Sequence, residues 1–120
     1  LGNGSEYVQE IIVEGSKNLK IINHKTFPNP TSTESKFHIE HNRPGENISL
    51  TLSVYQNDGK ILFTQNQRLV KTQYLINDLS WIFYQNQTKN PAKGTYIYII
   101  TLQSELDNSF DTVSGKIVIQ

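Results

Sequence analysis

Gly94-Thr95-Tyr96-Ile97-Tyr98-Ile99-Ile100-Thr101-Leu102 decides the fold. It is the densest run of β-branched and aromatic residues in the chain, begun by a glycine and free of proline and charge. Such composition suits a strand flanked by other strands. Side chains alternate across a strand, so Tyr96, Tyr98, Ile100 and Leu102 share one face. Thr95, Ile97, Ile99 and Thr101 share the other. The stretch predicts a central strand of a β-sandwich, half or wholly buried.

Working outward, residues 85–93 read as a polar loop containing Pro91. Before it, Tyr74 and Ile76 alternate, while Leu79, Trp81 and Phe83 alternate one residue out of phase. A bulge at Asn77-Asp78 reconciles the two phases. Residues 48–55 are the cleanest alternation, with Ile48, Leu50, Leu52 and Val54 inward and Ser49, Thr51, Ser53 and Tyr55 outward. Asn57-Asp58-Gly59 predicts a hairpin turn with Gly59 at the positive-φ position. Residues 60–70 return as a long strand, polar after Thr64 and therefore directed towards an edge. Residues 36–41 place Phe37 and Ile39 inward and end at Pro44-Gly45, which suits the centre of a type II turn.

Phe27-Pro28-Asn29-Pro30-Thr31 cannot lie inside a sheet, because two prolines remove two ladder donors; it predicts a corner. After the opening stretch, residues 105–108 turn the chain, and Val113, Ile117 and Ile119 form the inner face of a last strand. At the other end, residues 1–6 look like a flexible lead-in, followed by short strands over 7–14 and 19–23. The reading is an all-β chain: an immunoglobulin-like β-sandwich of about seven antiparallel strands with an extra N-terminal strand or hairpin. Residues 1–23 are a lead-in whose strands could belong to a preceding domain, and residues 24–120 are the sandwich.

Composition closes off several function classes. Eleven basic and eleven acidic side chains cancel across 120 residues, and no run of like charge offers a footprint for nucleic acid. No apolar run reaches the ~20 residues of a spanning helix. Cysteine is absent, so no disulfide staples the chain, and methionine is absent too, as in a mature segment or an excised domain.

Candidate chemistry is sparse. His38-Ile39-Glu40-His41 suggests a metal, but residues three apart on a strand point to opposite faces, and the helical His-Glu-x-x-His spacing is missing. These histidines read as surface or strand-end residues. No serine sits in a Gly-x-Ser-x-Gly elbow. Glu105, Asp107, Asn108 and Asp111 lack the ligand spacing of a calcium loop and read as a solvated hairpin tip. No catalytic, metal or cofactor site is expected. Trp81 reads as an inter-sheet core residue, with a sugar-binding platform as the other possibility. Tyr55 and Tyr84 are the surface-contact candidates. Tyr96, two residues after Gly94, stands where a tyrosine corner would pin a strand by a hydroxyl-to-backbone bond.

Several of these pieces occur together in one family. The chain resembles the immunoglobulin-like C-terminal sorting-type domains of the type IX secretion system of Bacteroidota, which share their layout with FlgD-like domains. That family has a Tyr-Pro-Asn-Pro corner, an Asp-x-x-Gly-Lys hairpin, a Gly-x-Tyr strand and a final Lys-hydrophobic-hydrophobic strand. The counterparts here are Phe27-Pro28-Asn29-Pro30, Asn57-Asp58-Gly59-Lys60, Gly94-Thr95-Tyr96 and Lys116-Ile117-Val118-Ile119. Phe37-His38-Ile39-Glu40-His41-Asn42-Arg43-Pro44-Gly45 is similar to the C-terminal domain of gingipain-family sortases of the PorU type. The chain departs from the FlgD-like pattern at Trp81-Ile82-Phe83, where Asp-Gly follows the tryptophan, and at Thr31, where phenylalanine follows the corner.

The resemblance makes Pro28, Asn29, Pro30, Gly59, Trp81, Gly94, Tyr96 and Lys116 structural motif residues. It implies a non-catalytic domain whose parent carries cysteine-peptidase chemistry upstream. Expected partners are other type IX secretion or outer-membrane proteins, or upstream domains of the same chain, at the cell surface, outer membrane or periplasm. A cleavable C-terminal sorting signal on a secreted cargo is the first alternative, and a carbohydrate-binding module the second.

Overall fold

A computed structural model describes residues 18–82 and 91–120, and of Trp81 and Ile82 the backbone alone. The segment 7–14 expected as a strand, together with Phe83 and Tyr84, lies outside the described residues. Seven antiparallel strands form two sheets: β1 (Ile21–Phe27), β2 (Glu34–His41), β3 (Ile48–Tyr55), β4 (Ile61–Leu69), β5 (Leu75–Ile82), β6 (Gly94–Ser104) and β7 (Phe110–Ile119). One sheet runs β1-β2-β5 and the other β4-β3-β6-β7. This is a β-sandwich of the kind the alternating stretches predict.

The opening stretch is a central strand, with β3 on one side of β6 and β7 on the other. Its inner face is fully engaged, since Tyr96, Tyr98, Ile100 and Leu102 are all buried, while Ile97, Ile99 and Thr101 on the outer face are half-buried. Ile48, Leu50, Leu52 and Val54 of β3 fill the core beside them, and Phe37, Ile39, Ile76 and Leu79 close it from the opposite sheet. Each fully buried aliphatic side chain contributes about 1.5–3 kcal/mol relative to exposure. β4 is an edge strand, which accounts for its polar second half.

The phase slip in β5 is a bulge. Phe37 pairs with Leu79 and Ile39 with Ile76, so two steps on β2 face three on β5. The additional residue falls at Asn77-Asp78 and returns both Ile76 and Leu79 to the core. β1 runs through positions 23 and 24 without a break, and Leu19 before it is buried in the same core.

The chain after β1 crosses from the first sheet to the edge of the second. Phe27-Pro28 and Asn29-Pro30 are cis, and Thr31 then forms a parallel bridge with Ile119. The strand alternation places the β2–β3, β4–β5 and β6–β7 connections at one pole, beside the start of β1. The Pro-Asn-Pro corner and the β3–β4 turn lie at the other.

Candidate functional site

The two poles are built differently. At the corner pole, Asn29 does the work of a strand residue with its side chain: Nδ2 donates to the Lys116 carbonyl at 2.8 Å and Oδ1 accepts the Val118 N–H at 2.9 Å. Thr31 continues the ladder, its N–H donating to Val118 O and its carbonyl accepting from Gln120 N–H. Pro28 contributes its carbonyl, which accepts from Ser35 Oγ at 2.8 Å. Gly59 turns the β3–β4 hairpin with φ +90°, as the turn chemistry requires. Tyr96 donates its hydroxyl to the Ala92 carbonyl at 2.6 Å, the tyrosine-corner bond. Thus the corner motif and the final Lys116-containing strand, 87 residues apart in sequence, form one joint.

The remaining singled-out residues do not gather into a site. Tyr55 is half-buried on the outer face of the four-stranded sheet, paired with Ile97. Tyr84 and the side chain of Trp81 lie outside the described residues. Each histidine has a structural occupation. His38 packs edge-on against Phe27 with ring centroids 4.7 Å apart. His24 Nδ1 meets the Tyr98 hydroxyl at 2.8 Å between the two sheets. His41, expected as a surface or strand-end residue, does end β2 but is wholly buried. Period-2 alternation explains this, because His41 follows Phe37 and Ile39 on the inner face while His38 points outward.

The opposite pole holds the feature that sequence reasoning missed. Arg43, only 8% exposed, is clamped by two carboxylates from different loops. Its Nε donates to Glu46 Oε2 at 2.6 Å and its Nη2 to Asp107 Oδ2 at 2.8 Å, while Nη1 reaches Ser109 Oγ at 3.2 Å. Glu46 is held from its other oxygen by Ser104 Oγ at 2.6 Å. Ser109 Oγ in turn accepts the Leu19 N–H and donates to Asp107. The guanidinium and its hydrogen bonds hold Asp107 down to about 2, and the paired acids push Arg43 up. Residues 105–108 are the exposed tip of the β6–β7 hairpin, as expected, and its acids also have partners. Asp107 binds Arg43, Glu105 binds exposed Arg68 at 2.8 Å, and Asp111 accepts the Ile21 N–H.

Backbone bonds complete this pole. Gly45, with φ +90° after Pro44, donates to Thr72 O, and Thr72 N–H donates back to Glu46 O. Asn47 Oδ1 accepts the N–H of Lys71, whose own φ of 49° is left-handed. His41 accepts the Arg43 N–H on Nδ1 and donates from Nε2 to the Gln73 carbonyl, so it is the neutral Nε2–H tautomer. Burial lowers its pKa. The loops thus carry few backbone groups left to move, although they are loops. One signal did mark them: Arg-Pro-Gly-Glu over 43–46 combines a turn with opposite charges three apart.

Between these loops opens a groove of about 550 Å³ lined by Gly45, Glu46, Asn47, Lys71, Glu105 and Leu106. A second groove of about 500 Å³ continues along the β4–β5 connection and shares Lys71. Leu106 is 76% exposed and Val70 59%. Both grooves are open, and Lys71 lines each of them.

Neither a family model nor a curated protein matches the chain. Solved structures do share its fold. A dimeric latent form of PorU from Porphyromonas gingivalis matches with a TM-score of 0.70 and 21% identity, over 91% of this chain and 10% of that one. A β-glucuronidase from Parabacteroides merdae matches with a TM-score of 0.64 and 15% identity, over 85% of this chain and 13% of that one. The same enzyme with glycerol in its active site matches with a TM-score of 0.61 over 85% of this chain and 14% of that one. The chain spans between a tenth and a seventh of the structures it matches, and at these identities the likeness is one of fold.

Proposed function

We propose that the chain is a non-catalytic C-terminal domain of a type IX secretion sortase of the PorU type, docking onto partner proteins or holding its parent at the outer membrane. The observation that carries this reading is a fold likeness to PorU over 91% of the chain. The signature over residues 37–45 supports it, because those residues build the Arg43 pole and not merely a strand. Its occupants are other type IX or outer-membrane proteins or the parent's upstream domains, at the cell surface, outer membrane or periplasm.

The test is to express the full reading frame with and without residues 24–120 and follow the mature protein by fractionation and mass spectrometry. Outer-membrane association that depends on residues 24–120, with peptides from 94–120 present in the mature protein, is the expected result. Loss of those peptides in the mature protein would make the domain a cleavable sorting signal instead. A reading frame without a cysteine-peptidase domain upstream would remove the sortase parent.

A further inference from the structure

The Arg43 pole combines a rigid frame, protruding apolar side chains and an uneven use of charge. Its frame is rigid because the clamp on Arg43 joins the β2–β3 loop to the β6–β7 hairpin, and Gly45 and Thr72 exchange bonds between the β2–β3 and β4–β5 loops. Its rim is apolar at Leu106 and Val70, two of the most exposed large hydrophobic residues among those described. Loops fixed from beneath while presenting apolar tips are what a preorganised contact surface needs.

Charge selects the occupant. Both carboxylates lining the main groove are engaged, Glu46 by Arg43 and Ser104 and Glu105 by the two nitrogens of Arg68. The lining cation is not: among the described residues, Lys71 has no carboxylate within ion-pair distance. Its backbone is in the left-handed region and bonded to Asn47, and the exposed residue lines both grooves. Like charge in a partner would meet a lysine with nothing to neutralise it, whereas a carboxylate would complete the pair.

We infer that this pole is a docking surface for an extended peptide segment of another protein, in which a carboxylate pairs with Lys71 while a neighbouring bulky apolar side chain packs on Leu106. The inference rests on the docking reading of the domain and names the surface that does the docking.

The test pans a random dodecapeptide phage library on the 120-residue chain, synthesises the enriched peptides and titrates them into isotope-labelled protein. The expected peptides carry Asp or Glu within two residues of Leu, Ile, Phe or Val, and shift amide resonances at 45–47, 70–72 and 105–107. Lys71→Glu weakens them at least tenfold, and a peptide with Lys in place of its acid recovers binding to that variant. Leu106→Ser weakens binding without altering the remaining spectrum, which shows that the fold persists. Failure to enrich any peptide over bare support, enriched peptides without an acid, or binding indifferent to Lys71→Glu overturns the inference. So do concentration-dependent shifts at these loops without peptide, which assign the surface to a second copy of the chain. If peptides fail while residues 24–120 still direct outer-membrane association, the surface assignment falls and the docking reading stands.

Discussion

Tyr98 lies across Gly115 on the neighbouring strand so closely that a Cβ at position 115 would stand 2.4 Å from its ring. The inner face of β7 reads Val113, Gly115, Ile117, Ile119, and the missing side chain is the space the tyrosine crosses. That route lets the ring meet Phe37 edge-on at 5.2 Å and its hydroxyl reach His24 in the opposite sheet. Gly115→Ala should destabilise the domain by about 1–3 kcal/mol, the usual cost of overpacking a core. Denaturant titration measures it. Tyr98→Leu in the Gly115→Ala background should recover part of the loss, and a fully additive pair would disprove the contact.

Arg43 is the second test of the frame. Replacing it with alanine leaves Glu46, still held by Ser104 Oγ, without its cation and disconnects Asp107 from the β2–β3 loop. A loss of about 2–4 kcal/mol is expected for a largely buried charge with two partners. Faster amide exchange should be concentrated at 43–47 and 105–109, leaving the 48–55 and 94–102 strands protected. Uniformly accelerated exchange would show that the clamp is not local.

These two relationships differ in how far the sequence discloses them. Strands such as Ile48–Tyr55 are legible because one face is buried and the period is two. The β5 bulge is legible for the same reason, since a phase slip shows where the pattern was interrupted. Gly115 carries no pattern of its own, and its role depends on Tyr98 being its pair across β6. Arg43 and Asp107 are 64 residues apart and each sits in a turn, where charge ordinarily means solvation. Only the sandwich topology, which brings the β2–β3 and β6–β7 connections to one pole, makes them partners. The Phe37-to-Gly45 family resemblance marked the segment without disclosing its chemistry.

Acid should weaken the domain in two steps. Burial lowers the pKa of His41 below its ordinary 6.5, so protons bind the unfolded chain first. Its contribution is complete above pH 6.5 and declines as pH falls from there towards the folded value. Asp107 is lowered from 3.8 to about 2, so its contribution is present above pH 3.8 and is lost as pH falls to about 2. Unfolding midpoints measured across pH 2–8 should show both. His41→Asn should flatten the upper slope and Arg43→Met the lower one.

Tyr96→Phe keeps the buried ring and removes the bond from the hydroxyl to Ala92 O. The expected cost is about 1 kcal/mol, the net value of a neutral hydrogen bond. The chain before β6 should exchange its amides faster, while β6 itself remains protected by its ladders to β3 and β7. A loss indistinguishable from zero would show that the bond to Ala92 O does not pin the strand.

Asn29 is the last test, because it decides whether the Pro-Asn-Pro corner is a spacer or a joint. A spacer needs only its prolines, and Asn29→Ala would then change nothing. A joint needs an acceptor and a donor held by one planar carboxamide, for Val118 N–H and Lys116 O respectively. Asn29→Asp keeps the acceptor and replaces the donor with a second oxygen facing the Lys116 carbonyl. Both substitutions should therefore accelerate exchange at Val118 and Gln120, whose N–H groups donate to the corner. Asp should protect Val118 better than Ala does. Each should cost about 1 kcal/mol at this exposed position. Because Ile117 and Ile119 of the same strand are core residues, the loosened end should stay packed, and the midpoint should move without a change in the slope of the denaturation curve.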